Sequence, residues 1–416
     1  MKAKKTKHIK RDSAYFKLLR KDSLFATLFV FIFIYLFSFL LELNFSAFTI
    51  IDNSYKDIDF TDILYSRPKQ DSSTLQQLAT RDIVLVNVGN IKRDRMGALL
   101  QSINNFHPRL TAIDVFFNHT DTTFATDSIL KASLQAMKPL VMASRLPHRA
   151  YPKSTTEIKR SNPFYGAFNY GFVNFAIDDS FSVVREFSPY VVKDKDTLYS
   201  FASQVVRQID EGAFQKMIRK KKKTEIINYE ATENNFLTIE ADSIIKGDAY
   251  IENAINNHIV LVGYISEDAA YPKLRDRFYT PLNSRIIGRS HPDAVGLVIN
   301  ANIILMMLKQ NYISHLSWWI TILLAFIICY LHIYFYIKIL QRTHLWFHLI
   351  TKGIQLLSAI SILLIALFFY KQWGVKIDIG IILLSILISV DLLYFYEPII
   401  KYCNKRFKIP SSFINL

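Results

Sequence analysis

The sequence predicts an α/β domain, with a mostly parallel sheet and helices on both of its faces, together with four transmembrane α-helices. Between residues 81 and 313, short runs rich in Ile, Val and Leu alternate with segments of helical periodicity. This alternation is typical of βαβ crossovers and parallel sheets. Four other segments are apolar over the length that a helix needs to cross ~30 Å of hydrocarbon.

The four apolar segments divide the chain. Spans are predicted at residues 23–43, 315–338, 349–370 and 377–397. The first has no small-residue cleavage site after its apolar run, where Glu42, Asn44 and Phe45 stand instead, so we expect an uncleaved signal anchor. The remaining parts are a basic N-terminus at 1–22, a large domain at 44–314 and a basic tail at 398–416.

The positive charge lies beside the predicted spans. The net charge is +15, yet residues 42–315 hold 32 basic and 30 acidic side chains. Because basic residues mark the cytoplasmic side of a membrane protein, we expect both termini in the cytoplasm and the large domain outside the cell membrane, or in a periplasm. The bilayer, with its anionic headgroups, is therefore the predicted partner of the basic ends, and a nucleic-acid role is not expected.

The cysteine and histidine content predicts no cofactor. Cys329 and Cys403 are the only cysteines, and neither lies in the large domain, so no disulfide framework supports that domain. No CxxC or HExxH spacing occurs, so no metal site is predicted. An extracytoplasmic hydrolase is a further alternative, but the sequence has no nucleophile elbow or triad spacing to support it, and we expect no enzyme.

Secondary structure in the large domain follows from periodicity and turn residues. Residues 44–80 are predicted to be a connector that packs on the domain surface, and the strand–loop–helix unit at 257–313 completes the sheet. Strands are predicted at 83–88, 110–116, 139–143, 171–176, 188–192, 225–229, 236–239 and 259–262, and helices at 96–103, 128–137, 199–209, 249–256 and from 293 onward.

Residues 62–313 resemble the type-two CHASE family, the sensory extracellular domains associated with cyclases and histidine kinases. The resemblance rests on the order and spacing of the segments RDIVLVNV, LTAIDVFF, YGFVNFAIDDSFSVVREFSPYV, NHIVLVGYISE, RDRFYTPL and VGLVINANIILMMLKQNYI. One span before the domain and three after it also match the family. The resemblance implies an extracytoplasmic sensor that binds an unknown ligand and signals through its transmembrane helices.

Two departures from the family pattern concern candidate ligand contacts. Relatives often carry Gly-Trp-Pro-Trp-Arg after the first strand, where this chain reads GNIKRDRMG, so Arg93 or Arg95 is the nearest equivalent of that arginine. Asn300 stands where the last helix commonly has a histidine. Relatives also carry a kinase or cyclase, and these 416 residues contain no such motif. We therefore expect a separate cytoplasmic or membrane protein to receive the signal.

Asp114 and Arg95 are candidate ligand-binding residues. Asp114 lies at the end of a predicted strand, and open α/β sheets bind ligands at the carboxyl ends of their strands. A turn-capping or ion-paired aspartate is the alternative.

Four further candidates, Asp276, Arg277, Tyr279 and Thr280, lie on the long loop before the last helix of the domain. Functional residues are concentrated on loops held by a rigid scaffold. A salt-bridged, rigid loop is an equally open interpretation.

Asp391 is the candidate inside the membrane. A carboxylate at membrane depth is costly and is often functional. It supports an alternative function, a transporter or channel component, which would require the chain to form a homo-oligomer. Asp391 also lies about one and a half turns from Glu397, so a hydrated position near the cytoplasmic edge is an equally open interpretation.

Overall fold

The computed structural model describes residues 2–42, 59–66, 80–118, 124–147, 157–175, 183–193, 195–247, 249–265, 277–283, 291–343 and 345–414. The chain forms two compact units. The sheet unit consists of Asp57–Ile313, and the membrane unit of Met1–Lys56 with Ser314–Leu416.

A six-stranded sheet forms the centre of the sheet unit. Its order is β4-β3-β2-β10-β1-β9, and all five neighbouring pairs are parallel, as the sequence predicts. The last of these strands in the sequence therefore completes the sheet at its centre, between β1 and β2. The strands are β1 (Ile83–Asn87), β2 (Leu110–Asp114), β3 (Leu140–Ser144), β4 (Asn169–Phe172), β9 (Leu237–Glu240) and β10 (Ile259–Gly263).

Helices cover both faces of this sheet. Successive strand residues point to opposite faces, so in β1 Ile83 and Leu85 join one core, while Val84 and Val86 join the other. The helices are α2 (Asp62–Ser66), α3 (Arg93–Asn105), α4 (Phe124–Ala136), α5 (Phe201–Ile209), α6 (Glu211–Arg219), α7 (Ala241–Lys246), α8 (Ala249–Ile255) and α9 (Gly296–Lys309).

Three small antiparallel pairs flank the main sheet, β5 with β8, β6 with β7 and β11 with β12. The predicted strand at 188–192 is β6, which lies in one of these pairs. The predicted helix at 199–209 begins at Phe201, because the side chain of Ser200 caps it. The strands are β5 (Glu186–Phe187), β6 (Tyr190–Lys193), β7 (Asp196–Tyr199), β8 (Glu225–Ile226), β11 (Arg277–Phe278) and β12 (Ala294–Val295).

The membrane unit contains four helices, α1 (Lys2–Glu42), α10 (Trp318–Arg342), α11 (Phe347–Trp373) and α12 (Gly380–Phe407). All four are long and apolar enough to cross a bilayer, α1 over Tyr15–Phe39. Buried side chains of α1, α10 and α12 share one apolar core. A short parallel pair, β13 (Ser314–His315) with β14 (Val375–Lys376), joins the start of α10 to the loop between α11 and α12.

The C-terminal segment packs against α1 inside the membrane unit. The carboxylate of Asp22 is fully buried and accepts hydrogen bonds from the Ser411 hydroxyl at 3.0 Å, the Ser412 hydroxyl at 2.7 Å and the Ser412 backbone N–H at 2.5 Å. Phe413 joins the same apolar core. Residues 411–413 are therefore an integral part of this unit.

Candidate functional site

The topology of the sheet creates a crevice at the carboxyl ends of its central strands. After β1, α3 packs on one face of the sheet, and after the neighbouring strand β10, α9 packs on the other. Parallel strands whose following helices diverge in this way leave space between them, and open α/β sheets bind ligands at such points.

A cavity of about 370 Å³ occupies this crevice. Its walls come from the residues that follow β1, β2, β3, β4 and β10, and from the first turn of α9. The lining residues are Val88, Gly89, Asn90, Asp114, Val115, Phe116, Arg145, Val173, Phe175, Tyr264, Phe278, Gly296, Leu297 and Asn300. This volume lies within the range of small-molecule sites.

Two polar groups in the cavity wall lack a hydrogen-bond partner among the described residues. Asn300 is 3% exposed, and its Nδ2 donates to the Gly296 carbonyl at 3.1 Å. That bond leaves Oδ1 as an acceptor without a donor among the described residues. The hydroxyl of Tyr264 is likewise buried with no partner. Because an unsatisfied buried polar atom costs about 1–3 kcal/mol, the Tyr264 hydroxyl indicates a bound ligand or water.

The cavity also carries one charge of each sign. Asp114 ends β2 and supplies a carboxylate. Arg145 follows β3, and its guanidinium lies 5.4 Å from the centroid of the Phe116 ring. Among the described residues, no carboxylate lies within ion-pairing distance of Arg145.

Asn87 holds the loops that frame the cavity. Its side chain is buried at the end of β1, and its Oδ1 accepts the backbone N–H of Gly89 at 3.1 Å and that of Ile265 at 3.0 Å. Its Nδ2 donates to the Glu240 carboxylate at 3.0 Å. One amide thus links the segments that follow β1 and β10 to β9.

Hydrogen bonds between Asp293 and Thr280 hold the segment that precedes α9. The carboxylate of Asp293 accepts the Thr280 backbone N–H at 2.9 Å and also the Thr280 hydroxyl. Burial raises the pKa of Asp293, and the hydrogen bonds from Thr280 oppose that shift. No side chain caps α9, and Phe278 and Phe175 pack edge to face beside Gly296, with ring centroids 5.2 Å apart.

The predicted site residues are not all brought together. Asp114 lines the cavity, whereas Arg95 pairs with Asp242 at 2.7 Å on the exposed surface of α3 and α7.

The described loop candidates make structural contacts. Arg277 pairs with Glu233 at 3.1 Å, Tyr279 bridges to Val183, and Thr280 binds Asp293. Asp276 lies outside the described residues. Arg277 and Thr280 therefore each have a carboxylate partner within the described residues.

Sequence reasoning missed Arg145 and Tyr264, and it treated Asn300 only as a departure from the family pattern. Asp114 was identified by its position at the end of a strand, and the same criterion applies to Arg145 and Tyr264. Arg145 comes directly after β3, and Tyr264 directly after β10. Applying the strand-end rule to every strand would have found both.

Asp391 forms an ion pair between two helices of the membrane unit. Its carboxylate lies 3.5 Å from the Nζ of Lys352 on α11, and more than half of each side chain is exposed. The structure thus gives this carboxylate a basic neighbour on another helix.

Within the described ranges, no group of three or more His, Cys, Asp or Glu side chains is arranged to hold a metal ion.

The fold is an α/β domain with a cavity at the carboxyl ends of its parallel strands, and the chain also has four helices that could span a membrane. The sequence profile of the CHASE2 domain family matches residues 30–334, and the chain belongs to that family of sensory extracellular domains. No curated protein and no solved structure matches the chain.

Proposed function

We propose that this protein is a membrane-anchored sensor whose extracytoplasmic domain binds a small molecule in the cavity at the carboxyl ends of β1, β2 and β10. The cavity carries the proposal, because it combines aromatic walls with polar side chains, among them the buried and unsatisfied Tyr264 hydroxyl, in a domain of a sensory family. The domain binds its ligand without chemical turnover, and no cofactor takes part.

The charge distribution supports the orientation. Nine of the first 41 residues are Lys or Arg, and the C-terminal segment carries Lys401, Lys405, Arg406 and Lys408. Both ends then face the cytoplasm, close to anionic headgroups, and the sheet unit lies outside. The first span anchors the domain and is retained.

α9 is the element best suited to report ligand binding. Its first turn lines the cavity, and its last residue, Lys309, precedes β13 by only a few residues in the sequence. β13 and the residue after it are hydrogen-bonded to the loop before α12, through Ser314 N–H to Gly374 O at 2.8 Å and Leu316 N–H to Lys376 O at 2.9 Å. A displacement of β13 would therefore reach α10, α11 and α12 together.

Signalling requires that the ligand bind two states of the protein with different affinity. A coupling of about 1–3 kcal/mol would change the affinity of a cytoplasmic or membrane partner by about 5- to 150-fold. In our proposal, the partner that responds to this change in affinity is a separate polypeptide. A homo-oligomer would provide further contacts among the helices.

The test is a thermal-melting screen of the full chain in lipid nanodiscs against a panel of metabolites. A compound that binds the cavity at a hundredfold excess over its Kd should stabilise the fold by about 2.7 kcal/mol. Gly296→Trp, which fills the cavity beside Phe278 and Phe175, should abolish the shift, and Gly296→Leu should weaken it.

Gly212→Trp is the matched control, because Gly212 is exposed on α6 and away from the cavity. It should keep the full shift. If no compound stabilises the wild type, or if Gly296→Trp and Gly296→Leu respond as the wild type does, the proposal fails. The bound compound should be recovered unchanged, and its conversion to a product would also contradict the proposal.

A further inference from the structure

Two exposed cations share one aromatic ring in the wall of the cavity. The guanidinium of Arg145 lies 5.4 Å from the centroid of the Phe116 ring, and the Nζ of Lys159 lies 5.9 Å from the same centroid. Arg145 and Phe116 both line the cavity. We infer that the ligand of the cavity is an anion, a carboxylate or a phosphate carried on an apolar body, an inference that rests on the proposed ligand-binding function.

The backbone holds these two cations opposite each other. Arg145 and Lys159 form an antiparallel bridge, in which each backbone N–H donates to the carbonyl of the other residue, at 2.8 and 2.9 Å. Residues paired in this way have Cβ atoms about 4.5–5.5 Å apart, and like charges at that spacing repel. The next residue, Leu146, is fixed by Asn174, whose side chain accepts its N–H at 2.7 Å and donates to its carbonyl at 3.2 Å. The two positive charges are therefore kept together despite their repulsion.

No acidic side chain of the described residues compensates this pair. Neither Arg145 nor Lys159 lies within ion-pairing distance of a described carboxylate. Asp114, the carboxylate in the cavity wall, already has an interaction of its own within the chain and does not depend on a ligand for a partner. A guanidinium stacked on an aromatic ring keeps its N–H edges available, so it can bind a carboxylate or a phosphate through two parallel hydrogen bonds.

The start of α9 favours a ligand of the same charge. No side chain caps this helix of 14 residues, and its first two residues, Gly296 and Leu297, line the cavity. The N–H groups of a first helical turn have no partner within their helix, and together with the helix dipole they stabilise a nearby anion. The cavity thus receives positive potential from a second element, independently of the two cations.

The remaining wall suits an apolar body. Phe175 and Phe278 pack edge to face beside Gly296, with ring centroids 5.2 Å apart, and Leu297 also lines the cavity. These groups give no partner to a second charge. The hydroxyl of Tyr264, buried without a partner in the described chain, can donate one further hydrogen bond to the ligand.

The experiment measures binding to the full chain by calorimetry, in nanodiscs of zwitterionic lipid. 3-Phenylpropanoate and phenyl phosphate carry the two candidate anions, 3-phenylpropanamide has the shape of the first without its charge, and phenethylamine carries the opposite charge. At least one anion should bind, and the tighter of the two identifies the group that the site prefers. The amide and the amine should bind at least about tenfold more weakly, because hydrogen bonds to a charged group contribute about 10- to 150-fold in affinity.

Variants test the two cations. Arg145→Gln should weaken binding of the anion by about tenfold or more, and Lys159→Gln by about threefold. Without ligand, both variants should melt at or above the wild-type temperature, because each removes one of two exposed like charges. Arg160→Gln is the matched control. The Arg160 guanidinium also stacks on a ring, 5.1 Å from the Tyr170 centroid, but Arg160 does not line the cavity, so the affinity should be unchanged.

The outcomes separate this inference from the proposed function. The inference is overturned if phenethylamine or the amide binds as tightly as the anions, if Arg145→Gln binds them as the wild type does, or if Gly296→Trp leaves anion binding intact. Binding of another metabolite, blocked by Gly296→Trp, together with no anion binding, would also overturn it and leave the sensor function standing. If neither the anions nor the wider panel bind, both fail.

Discussion

At Arg185, a single guanidinium joins two segments that are far apart in the sequence. Its Nη2 lies 2.5 Å from Asp62 Oδ2 and its Nε 3.2 Å from Asp62 Oδ1, and both side chains are largely buried. Asp62 belongs to the short helix α2, within the connector predicted to pack on the domain. The described part of that connector is therefore held by a two-point ionic contact.

Arg185→Leu is expected to destabilise the sheet unit strongly. Removing one partner of a buried pair leaves the other charge uncompensated, at a cost of about 3–5 kcal/mol. Denaturant unfolding of the full chain in detergent measures the loss. Arg95→Leu, which breaks an exposed pair, should cost at most about 1 kcal/mol.

The double variant Asp62→Leu with Arg185→Leu should recover part of the lost stability, because no buried charge remains unpaired. A loss for Arg185→Leu no larger than that for Arg95→Leu would show that the contact does not hold the connector.

Single residues also show what the sequence could and could not predict about the site. Asp114 was predictable because its position relative to a strand end follows from the strand pattern alone. Arg95 pairs with Asp242 on the exposed surface of α3, and the sequence did not predict this neighbour, because the position of a residue along a helix does not reveal which other element packs beside it. Arg93 reaches the buried Asp127 and Tyr165, at 3.1 and 3.2 Å, and only the packing of α4 reveals this.

At the scale of elements, the helices of the membrane unit extend beyond the predicted apolar spans. α12 continues through Pro398 to Phe407, although the sequence prediction ends this span at 397. Hydropathy detects the apolar part of a helix and not its polar continuation, and a proline only interrupts one hydrogen bond of an otherwise packed helix. The docking of Ser411 and Ser412 on Asp22 has no local sequence signal, because it joins residues 389 and 390 positions apart.

Asp22→Ala is expected to release the C-terminal segment. The Asp22 carboxylate accepts three hydrogen bonds from that segment, and bonds to a charged group contribute about 1.5–3 kcal/mol each. Trypsin should therefore cleave after Lys405, Arg406 or Lys408 at least about tenfold faster in the variant than in the wild type.

The control is Asp378→Ala, which removes an exposed carboxylate and should leave the cleavage rate unchanged. Equal rates for Asp22→Ala and the wild type would mean that Asp22 does not retain the segment.

At the scale of the whole molecule, the parallel order of the sheet was predictable from alternating strand and helix patterns, and four spans from hydropathy. The central position of β10 in the sheet was not predictable from these patterns, because strand pairing depends on which buried strands fit side by side. The cavity follows from that placement, since it brings the first turn of α9 beside Asp114.

The proposed orientation predicts a labelling pattern in intact cells. In a Cys403→Ser background, a cysteine at the exposed position Lys223 should react with an impermeant maleimide added outside. The native Cys403 should react only after the cells are permeabilised. Ser411 is unsuitable as an inner site because it is buried against Asp22.

Permeabilised cells provide the control, since both cysteines should then react. Labelling of Cys403 but not of Lys223→Cys in intact cells would contradict the proposed topology. It would show that the sheet unit does not lie on the extracytoplasmic side.

The measurement closest to the sensor function is hydrogen exchange of the full chain in nanodiscs, with and without a compound that stabilises the wild type. Binding should slow exchange around Asp114 and Asn300 and also change exchange in β13, β14 and the helix ends of the membrane unit. Gly296→Trp should show neither change. Protection confined to residues 57–313, with no response in residues 314–414, would show a binding protein that does not signal and would contradict the proposed function.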